Sequence, residues 1–222
     1  MSHKALIGIV GPSGSGKSTS LRNLDPTTTR IIDMERKGLP FRNISNFTIL
    51  PASSIAECDE HFKTCLADPA VKIIILESLT KYFEILLRFS QTTFKGYDIY
   101  SYYNRTIGSF LDKIKNNRAI IILTAIDEIV KIPSPDGSES AARRIKVGGK
   151  EWEGKIEKEL LMVLFTDPRK DKDGKIQYLF QTNTDGLTSA KTPMEMFSER
   201  LIPNDMAEVI RVAEDYYTLK NK

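Results

Sequence analysis

One segment near the amino terminus restricts the fold more than any other part of the chain. Residues 11–18 read GPSGSGKS, which matches the phosphate-binding pattern G-x-x-x-x-G-K-[ST]. Residues 5–10 before it form a short apolar run that predicts a buried strand. A loop of this kind joins a strand to a helix, so the chain is predicted to be an α/β protein that binds a nucleoside triphosphate.

Each residue type in this loop has a physical role. Glycines without a Cβ let backbone N–H groups approach phosphate oxygens closely, and Lys17 places an ammonium against the β and γ phosphates. Ser18 offers its hydroxyl to Mg²⁺, and the positive end of the following helix adds to the attraction. The residues predicted to bind the nucleotide are Gly11, Pro12, Ser13, Gly14, Ser15, Gly16, Lys17, Ser18 and Thr19.

Composition narrows the class of protein further. At 222 residues the chain can bury a sizeable single core without disulfides or a structural metal. Cys58 and Cys65 lie too far apart on one predicted helix to form a disulfide. The longest apolar runs are about six residues, far below the ~20 that span a bilayer. We therefore expect a cytoplasmic protein without a membrane partner.

Strand and helix signals alternate along the chain, which favours a mostly parallel central sheet with helices on both faces. Strands are predicted over residues 29–34, 47–50, 71–76 and 119–124, and helices over 17–24, 54–68, 79–95, 97–117 and 205–217. Residues 160–166 and 175–181 flank a polar turn and predict a β-hairpin at the edge of the sheet. Residues 133–150 predict a long exposed basic loop. We expect residues 1–222 to form a single domain.

An acid follows the most apolar strand. Glu77 comes directly after Ile73 to Leu76, where a phosphate-binding protein needs a carboxylate for Mg²⁺. Aspartate is usual there, and the extra methylene of Glu77 favours binding through water. The alternative is a solvated strand-end carboxylate. Thr124 closes the next strand and is either a sensor of the γ phosphate or a β-branched residue that completes the strand.

Two further acids end the second predicted strand. Asp33 and Glu35 emerge at the carboxyl edge of the sheet, where ligands of open α/β sheets bind. Glu35 is the candidate for orienting the attacking water, with Asp33 second. A salt bridge from Glu35 to Arg36 or Lys37 is the structural alternative.

Basic residues cluster in the predicted loop. Flexible basic segments can follow a nucleic-acid backbone, which makes this cluster a candidate site for single-stranded DNA, although charge that only solvates the loop explains it equally well. The cluster comprises Arg143, Arg144, Lys146 and Lys150.

The order of these features resembles the RecA-like core of phage nucleotide-binding proteins, the group that includes single-strand annealing ATPases. The resemblance spans nearly the whole chain and depends on the phosphate loop, the two acidic strand ends and a distinctive stretch at residues 190–205. It implies a glutamate base at Glu35 and rings or filaments with ATP between subunits. A basic residue from the neighbour would then reach the γ phosphate, and Lys191 or Arg200 is the candidate.

Together these features predict a RecA-like ATPase that hydrolyses ATP slowly with Mg²⁺ and couples nucleotide state to single-stranded DNA binding in phage recombination or replication. Lys17, Glu35, Glu77 and Thr124 are the expected catalytic residues, and Ser18 with Glu77 the Mg²⁺ ligands. The expected partners are single-stranded DNA, further copies of the chain and a single-strand-binding protein. Two alternatives stay open: a small-molecule or nucleotide kinase with Arg143 and Arg144 as a lid, and a nucleotide-gated protein-binding module.

Overall fold

A computed structural model describes residues 5–115, 117–133 and 139–219. Ten strands belong to this part of the chain: β1 (Leu6–Val10), β2 (Thr29–Asp33), β3 (Thr48–Pro51), β4 (Ile73–Glu77), β5 (Ile120–Ala125), β6 (Asp127–Pro133), β7 (Glu139–Ile145), β8 (Met162–Lys170), β9 (Ile176–Gln181) and β10 (Leu201–Pro203). The α-helices are α1 (Ile55–Ala67), α2 (Leu79–Thr93), α3 (Tyr97–Lys115) and α4 (Met206–Leu219). Short 3-10 helices cover Ser18–Asn23, Ile44–Asn46 and Glu157–Glu159.

Eight of the strands form one sheet in the order β10-β9-β8-β1-β5-β4-β2-β3. Every pairing from β8 across to β3 is parallel, whereas β8, β9 and β10 pair antiparallel. The predicted α/β fold and the hairpin at residues 160–181 are therefore confirmed, with the short strand β10 outside the hairpin as the edge.

Alternation along the strands gives each face of the sheet its own core. In β4, Ile74 and Leu76 pack against α1, α2 and α3, while Ile73 and Ile75 pack on the opposite face. That second layer contains the first 3-10 helix and α4. Because both faces are covered, the central strands are apolar throughout instead of alternating with polar residues.

Serine caps place two of the helices. Ser54 accepts a hydrogen bond from the Glu57 N–H (3.2 Å) and begins α1, as the S-x-x-E spacing predicts. The Glu57 carboxylate in turn accepts a hydrogen bond from the Ser53 N–H (2.7 Å), not from the Ser54 N–H. Ser78 caps α2 in the same way, directly after the last residue of β4.

Two predictions about local structure are wrong. The long loop predicted over residues 133–150 is wrong for residues 139–145, which form β7 and pair antiparallel with β6 in a separate two-stranded sheet. Residues 134–138 of that prediction lie outside the described residues. Small buried residues such as Ala142 anchor this ribbon, and they give a weak apolar signal in the sequence. The segment after the phosphate loop is a 3-10 helix of only six residues, so its dipole contributes less than a full α-helix would.

The aromatic cluster between α1, α2 and α3 should dominate the stability of one face. Phe110 is buried, stacks on Tyr82 with ring centroids 4.4 Å apart and meets Phe62 edge-on at 5.6 Å. Phe110→Ala should lower the free energy of unfolding by about 3–5 kcal/mol, because a large cavity is left in a packed layer. Tyr97→Ala is the matched control on the same helix, since Tyr97 is 84% exposed, and should cost less than about 1 kcal/mol. Urea denaturation measures both, and equal losses would contradict this account of the core.

Candidate functional site

The phosphate-binding loop lies at the carboxyl edge of the sheet, between β1 and the first 3-10 helix. The Gly11 N–H donates to the Ala125 carbonyl (3.1 Å), which ties the start of the loop to β5. The Ser15 hydroxyl donates to the Pro12 carbonyl (2.7 Å) and accepts from the Thr166 hydroxyl (2.6 Å). The loop is therefore braced by both strands that flank β1.

Two of the loop glycines are required by close neighbours. A Cβ on Gly11 would lie 1.8 Å from Thr166 Oγ1. Gly16 has a φ of 98°, and a Cβ there would lie 2.9 Å from the Tyr178 ring. The close neighbours come from β8 and β9, far away in sequence.

Lys17 points back into the loop. Its ammonium donates to the carbonyls of Gly11 (2.7 Å) and Pro12 (2.8 Å), and the residue is 9% exposed. Burial lowers the pKa of Lys17, and the nearby Glu77 carboxylate opposes that shift. A positive charge is thus held inside the loop, where phosphate oxygens would surround it.

Glu77 and Ser18 meet directly. The Ser18 hydroxyl donates to Glu77 Oε1 (2.7 Å), and Glu77 is 3% exposed. The alternative of a solvated strand-end carboxylate is therefore wrong. Burial raises the pKa of Glu77, while the hydrogen bond from Ser18 and the neighbouring Thr124 hydroxyl act in the opposite direction.

The second carboxylate oxygen of Glu77 shows why this pair suits a divalent cation. Oε2 is buried and has no hydrogen-bond partner among the described residues. A hydroxyl and a carboxylate with a spare oxygen are ligands that Mg²⁺ accepts, the rest of its shell being water and phosphate oxygens. Among the described residues no cluster of three or more His, Cys, Asp or Glu forms an all-protein metal site. The donor set fits a cation that arrives with the nucleotide.

Thr124 lies beneath Glu77 and not in the open cleft. It is fully buried, and its hydroxyl donates to the Leu76 carbonyl (3.3 Å) as well as contacting Glu77. This position suits a residue that orients the carboxylate of Glu77. Its role as a γ-phosphate sensor stays a prediction.

Glu35 and Asp33 have different surroundings. Asp33 is buried, and its carboxylate accepts from the Arg36 N–H (2.8 Å), which stabilises the turn after β2. Glu35 faces the cleft and accepts from the Ser78 hydroxyl (2.7 Å). Lys37 lies 3.6 Å from its other oxygen, so the ion pair considered as the alternative is present beside a solvent-facing carboxylate.

The predicted basic cluster is only partly available. Arg143 forms an ion pair with Asp127 (2.6 Å) and lies over the Phe165 ring at 5.4 Å, so it faces inward. Lys146 and Lys150 are exposed, and Arg144 is half-buried. The DNA site stays a prediction for these three residues, and Arg143 is separated from them by its internal contacts.

The two residues expected to act between subunits have acidic neighbours within the chain. Arg200 pairs with Asp185 (3.0 Å). Lys191 forms a β-bridge with Val163, and burial lowers the pKa of its ammonium against the attraction of Glu157 and Glu159. An intersubunit role for either residue stays a prediction.

The residues Lys17, Ser18, Glu35 and Glu77 line a cleft of about 940 Å³. Sequence reasoning missed several of the residues that shape it or brace its loop: Arg22, Ser78, Thr166, Tyr178, Pro203 and Asn204. A strand-end serine after Glu77 was a usable signal for Ser78. Arg22 lies in the first 3-10 helix, directly after the loop, where nothing in the sequence singled it out. No local pattern marks Thr166, Tyr178, Pro203 or Asn204, because they reach the loop only through the pairing of β8, β9 and β10.

Fold and site together define a P-loop nucleoside-triphosphatase fold of the RecA-like type. The profile of the AAA domain family matches residues 3–194, so the chain belongs to that family. The KaiC-like protein PH0186 from the hyperthermophilic archaeon Pyrococcus horikoshii OT3 has a similar structure, with a TM-score of 0.51 and 11% identity over 90% of this chain and 84% of that one. No curated protein matches the chain. No helix in the described ranges is long and apolar enough to cross a membrane.

The contact between Gly11 and Thr166 can be tested by suppression. Gly11→Ala should weaken nucleoside-triphosphate binding by roughly 10–100-fold, because the new methyl group collides with Thr166 and distorts the loop. Adding Thr166→Ala removes the colliding hydroxyl and should restore part of the affinity, as measured by titration calorimetry.

Gly108→Ala is the control for this pair. A Cβ there would come no closer than 3.4 Å to another residue, the ring of Trp152, and binding should not change. A double variant as weak as Gly11→Ala alone would mean that the loss has another cause.

Proposed function

We propose that this protein binds ATP with Mg²⁺ and hydrolyses it slowly. The supporting observation is the convergence of Lys17, the Ser18–Glu77 pair and Glu35 on one cleft at the carboxyl edge of the sheet. These are the groups that phosphoryl transfer to water requires, since catalysis there is mainly positioning and neutralisation of charge.

Each group has a separate task in this proposal. Loop amides and Lys17 hold the phosphates, and Ser18 with Glu77 hold Mg²⁺, which neutralises charge on the phosphate oxygens when bound. Glu35 accepts a hydrogen bond from the attacking water and turns it toward the γ phosphorus. Ser78 holds Glu35 by the 2.7 Å hydrogen bond and acts as a positioning residue.

Slow turnover follows from the present partners of Glu35. Ser78 contacts one oxygen of its carboxylate and Lys37 the other, so an attacking water must compete with both contacts for its hydrogen bond to Glu35. A nucleotide-dependent rearrangement that releases one of these contacts would increase the rate.

The kinase alternative loses its main support. It needs an arginine lid over the phosphates from Arg143 and Arg144, but Arg143 is bound to Asp127 and packs on Phe165. The ATPase proposal needs no such lid.

We further propose that nucleotide state is coupled to binding of single-stranded DNA on the β6–β7 ribbon. Ala125, which holds Gly11, is followed at once by Ile126, a residue of the cleft. The Ile126 carbonyl accepts from the Lys146 N–H (2.9 Å). Two consecutive residues, Ala125 and Ile126, therefore connect the phosphate loop to the basic end of the ribbon by hydrogen bonds. The sequence resemblance adds three further parts to this proposal. They are assembly into a ring or filament, a single-strand-binding protein as partner, and a role in phage recombination or replication.

Hydrolysis should depend on Glu35 much more than binding does. Glu35→Gln keeps the shape but loses the base, so kcat should fall roughly 10²–10³-fold while the Kd for ATP changes little. Asp33→Asn is the matched control, because the amide oxygen can still accept from Arg36, and turnover should stay near that of the unsubstituted protein. Steady-state phosphate release measures both. Tight ATP binding without any turnover in the unsubstituted protein would favour a nucleotide-gated binding module instead.

DNA binding should leave a salt signature that localises it. With ATP present, Lys146→Ala/Lys150→Ala should lower the slope of log K against log salt by about 1.4, since each lost phosphate contact removes about 0.7 for a single strand. Lys63→Ala, an exposed lysine on α1, is the control and should leave the slope unchanged. Fluorescence anisotropy with a labelled oligonucleotide measures the slopes, and an unchanged slope in the double variant would place the DNA elsewhere.

A further inference from the structure

A buried amide beside the phosphate loop has no partner. Asn204 is 4% exposed and lines the nucleotide cleft. Neither its Oδ1 nor its Nδ2 has a hydrogen-bond partner among the described residues. Buried polar atoms are almost always paired, because leaving them unpaired costs stability.

The backbone of Asn204 is fixed although its side chain is unpaired. Its N–H donates to the Tyr178 carbonyl (3.1 Å), and its carbonyl accepts from the Arg22 guanidinium (2.9 Å). The next residue, Asp205, accepts from the Asn23 side chain (2.6 Å). The amide is thus held at a constant place relative to the helix that follows the phosphate loop.

That place is directly against the loop. A Cβ on Gly16 would lie 3.3 Å from Asn204 Oδ1 and 2.9 Å from the Tyr178 ring, so both side chains reach the same point of the loop. Tyr178 is 45% exposed and lines the cleft. With Pro203 it provides the flat apolar surfaces on which a base stacks.

The chemistry of an amide selects the part of the nucleotide that it can satisfy. Phosphate oxygens only accept hydrogen bonds, so they would leave Oδ1 unpaired. Adenine offers a donor beside an acceptor, and an asparagine amide pairs with that edge through two hydrogen bonds.

We propose that Asn204 recognises the adenine edge of the bound nucleotide, with Tyr178 stacking on the base. This inference rests on the proposed ATP-binding function and adds the residue that selects the base. Arg22 and Asn23 act only as supports that hold the segment in place.

The test compares Asn204→Leu with the unsubstituted protein by calorimetry, using Mg²⁺ with ATP, purine riboside triphosphate or inorganic tripolyphosphate. The unsubstituted protein should bind ATP roughly tenfold more tightly than purine riboside triphosphate, which lacks the amino group. Asn204→Leu should lose this preference and bind ATP about tenfold more weakly, while its affinity for tripolyphosphate should stay the same. Its Tm without nucleotide should be equal or higher, since an unpaired amide is replaced by an apolar group of similar size.

Controls separate this inference from the function on which it rests. Asn183→Leu changes an exposed asparagine outside the cleft and should bind all three ligands normally. Asn204→Ala should repeat the loss of base preference if the leucine variant folds poorly. Equal affinity of the unsubstituted protein for ATP and purine riboside triphosphate, equal weakening of Asn204→Leu toward ATP and tripolyphosphate, or a large fall in the Tm of both Asn204 variants would overturn the inference. If the unsubstituted protein bound none of the three ligands, the proposed function itself would be wrong.

Discussion

Two oppositely charged side chains held away from water define the site, and the order of the strands brings them together. Lys17 and Glu77 are both almost fully buried. Burial lowers the pKa of Lys17 and raises that of Glu77, which favours the neutral form of each. Removing two charges from water is expensive, and their mutual attraction repays it only when other hydrogen bonds complete the arrangement. Carbonyl groups of the loop do this for Lys17, and the Ser18 hydroxyl does it for one side of Glu77. The remaining side of Glu77 is unpaired, which fits a site completed by a cation and a triphosphate.

The strand order explains why these groups meet. β1 and β4 lie on either side of β5, and all three run parallel, so their carboxyl ends share one edge. Thr124 at the end of the middle strand is then the residue between the phosphate loop and Glu77. A register shift of one residue in β4 would turn Glu77 toward the opposite face, and the apolar alternation of Ile73 to Leu76 opposes such a shift.

The sequence predicts those parts of the fold and site that depend on neighbouring residues. The phosphate loop, the apolar strand before Glu77, the serine cap of α1 and the hairpin of β8 and β9 each have a local pattern. Thr166 and Asn204 have none, because they meet the loop across more than 150 residues of chain. The ribbon of β6 and β7 gave only a weak signal, since its described buried positions include the small Ala142, and the ion pair of Arg143 with Asp127 joins its two strands across the chain. Asp33 shows the opposite error: its place at the end of a strand made it the second candidate for orienting the water, but its carboxylate accepts the Arg36 N–H in the turn after β2.

Ser78 connects the site to the rest of the molecule more directly than its sequence position suggests. Its hydroxyl donates to Glu35 and accepts from the Lys81 N–H at the start of α2 (3.2 Å). Ser78 also follows Glu77, the last residue of β4, in the chain. One residue therefore connects the proposed base, the end of β4 and the first turn of α2. Any movement of Glu35 toward a bound nucleotide must break or lengthen the bond from Ser78, and the same hydroxyl then becomes free to rotate while it still caps α2. The Thr80 hydroxyl of α2 also accepts from the N–H of Ile126 (2.8 Å), the residue between β5 and β6. The proposed base and the start of the β6–β7 ribbon are therefore linked by a short chain of hydrogen bonds through α2. The proposed coupling between nucleotide and ribbon would thus need no large domain motion.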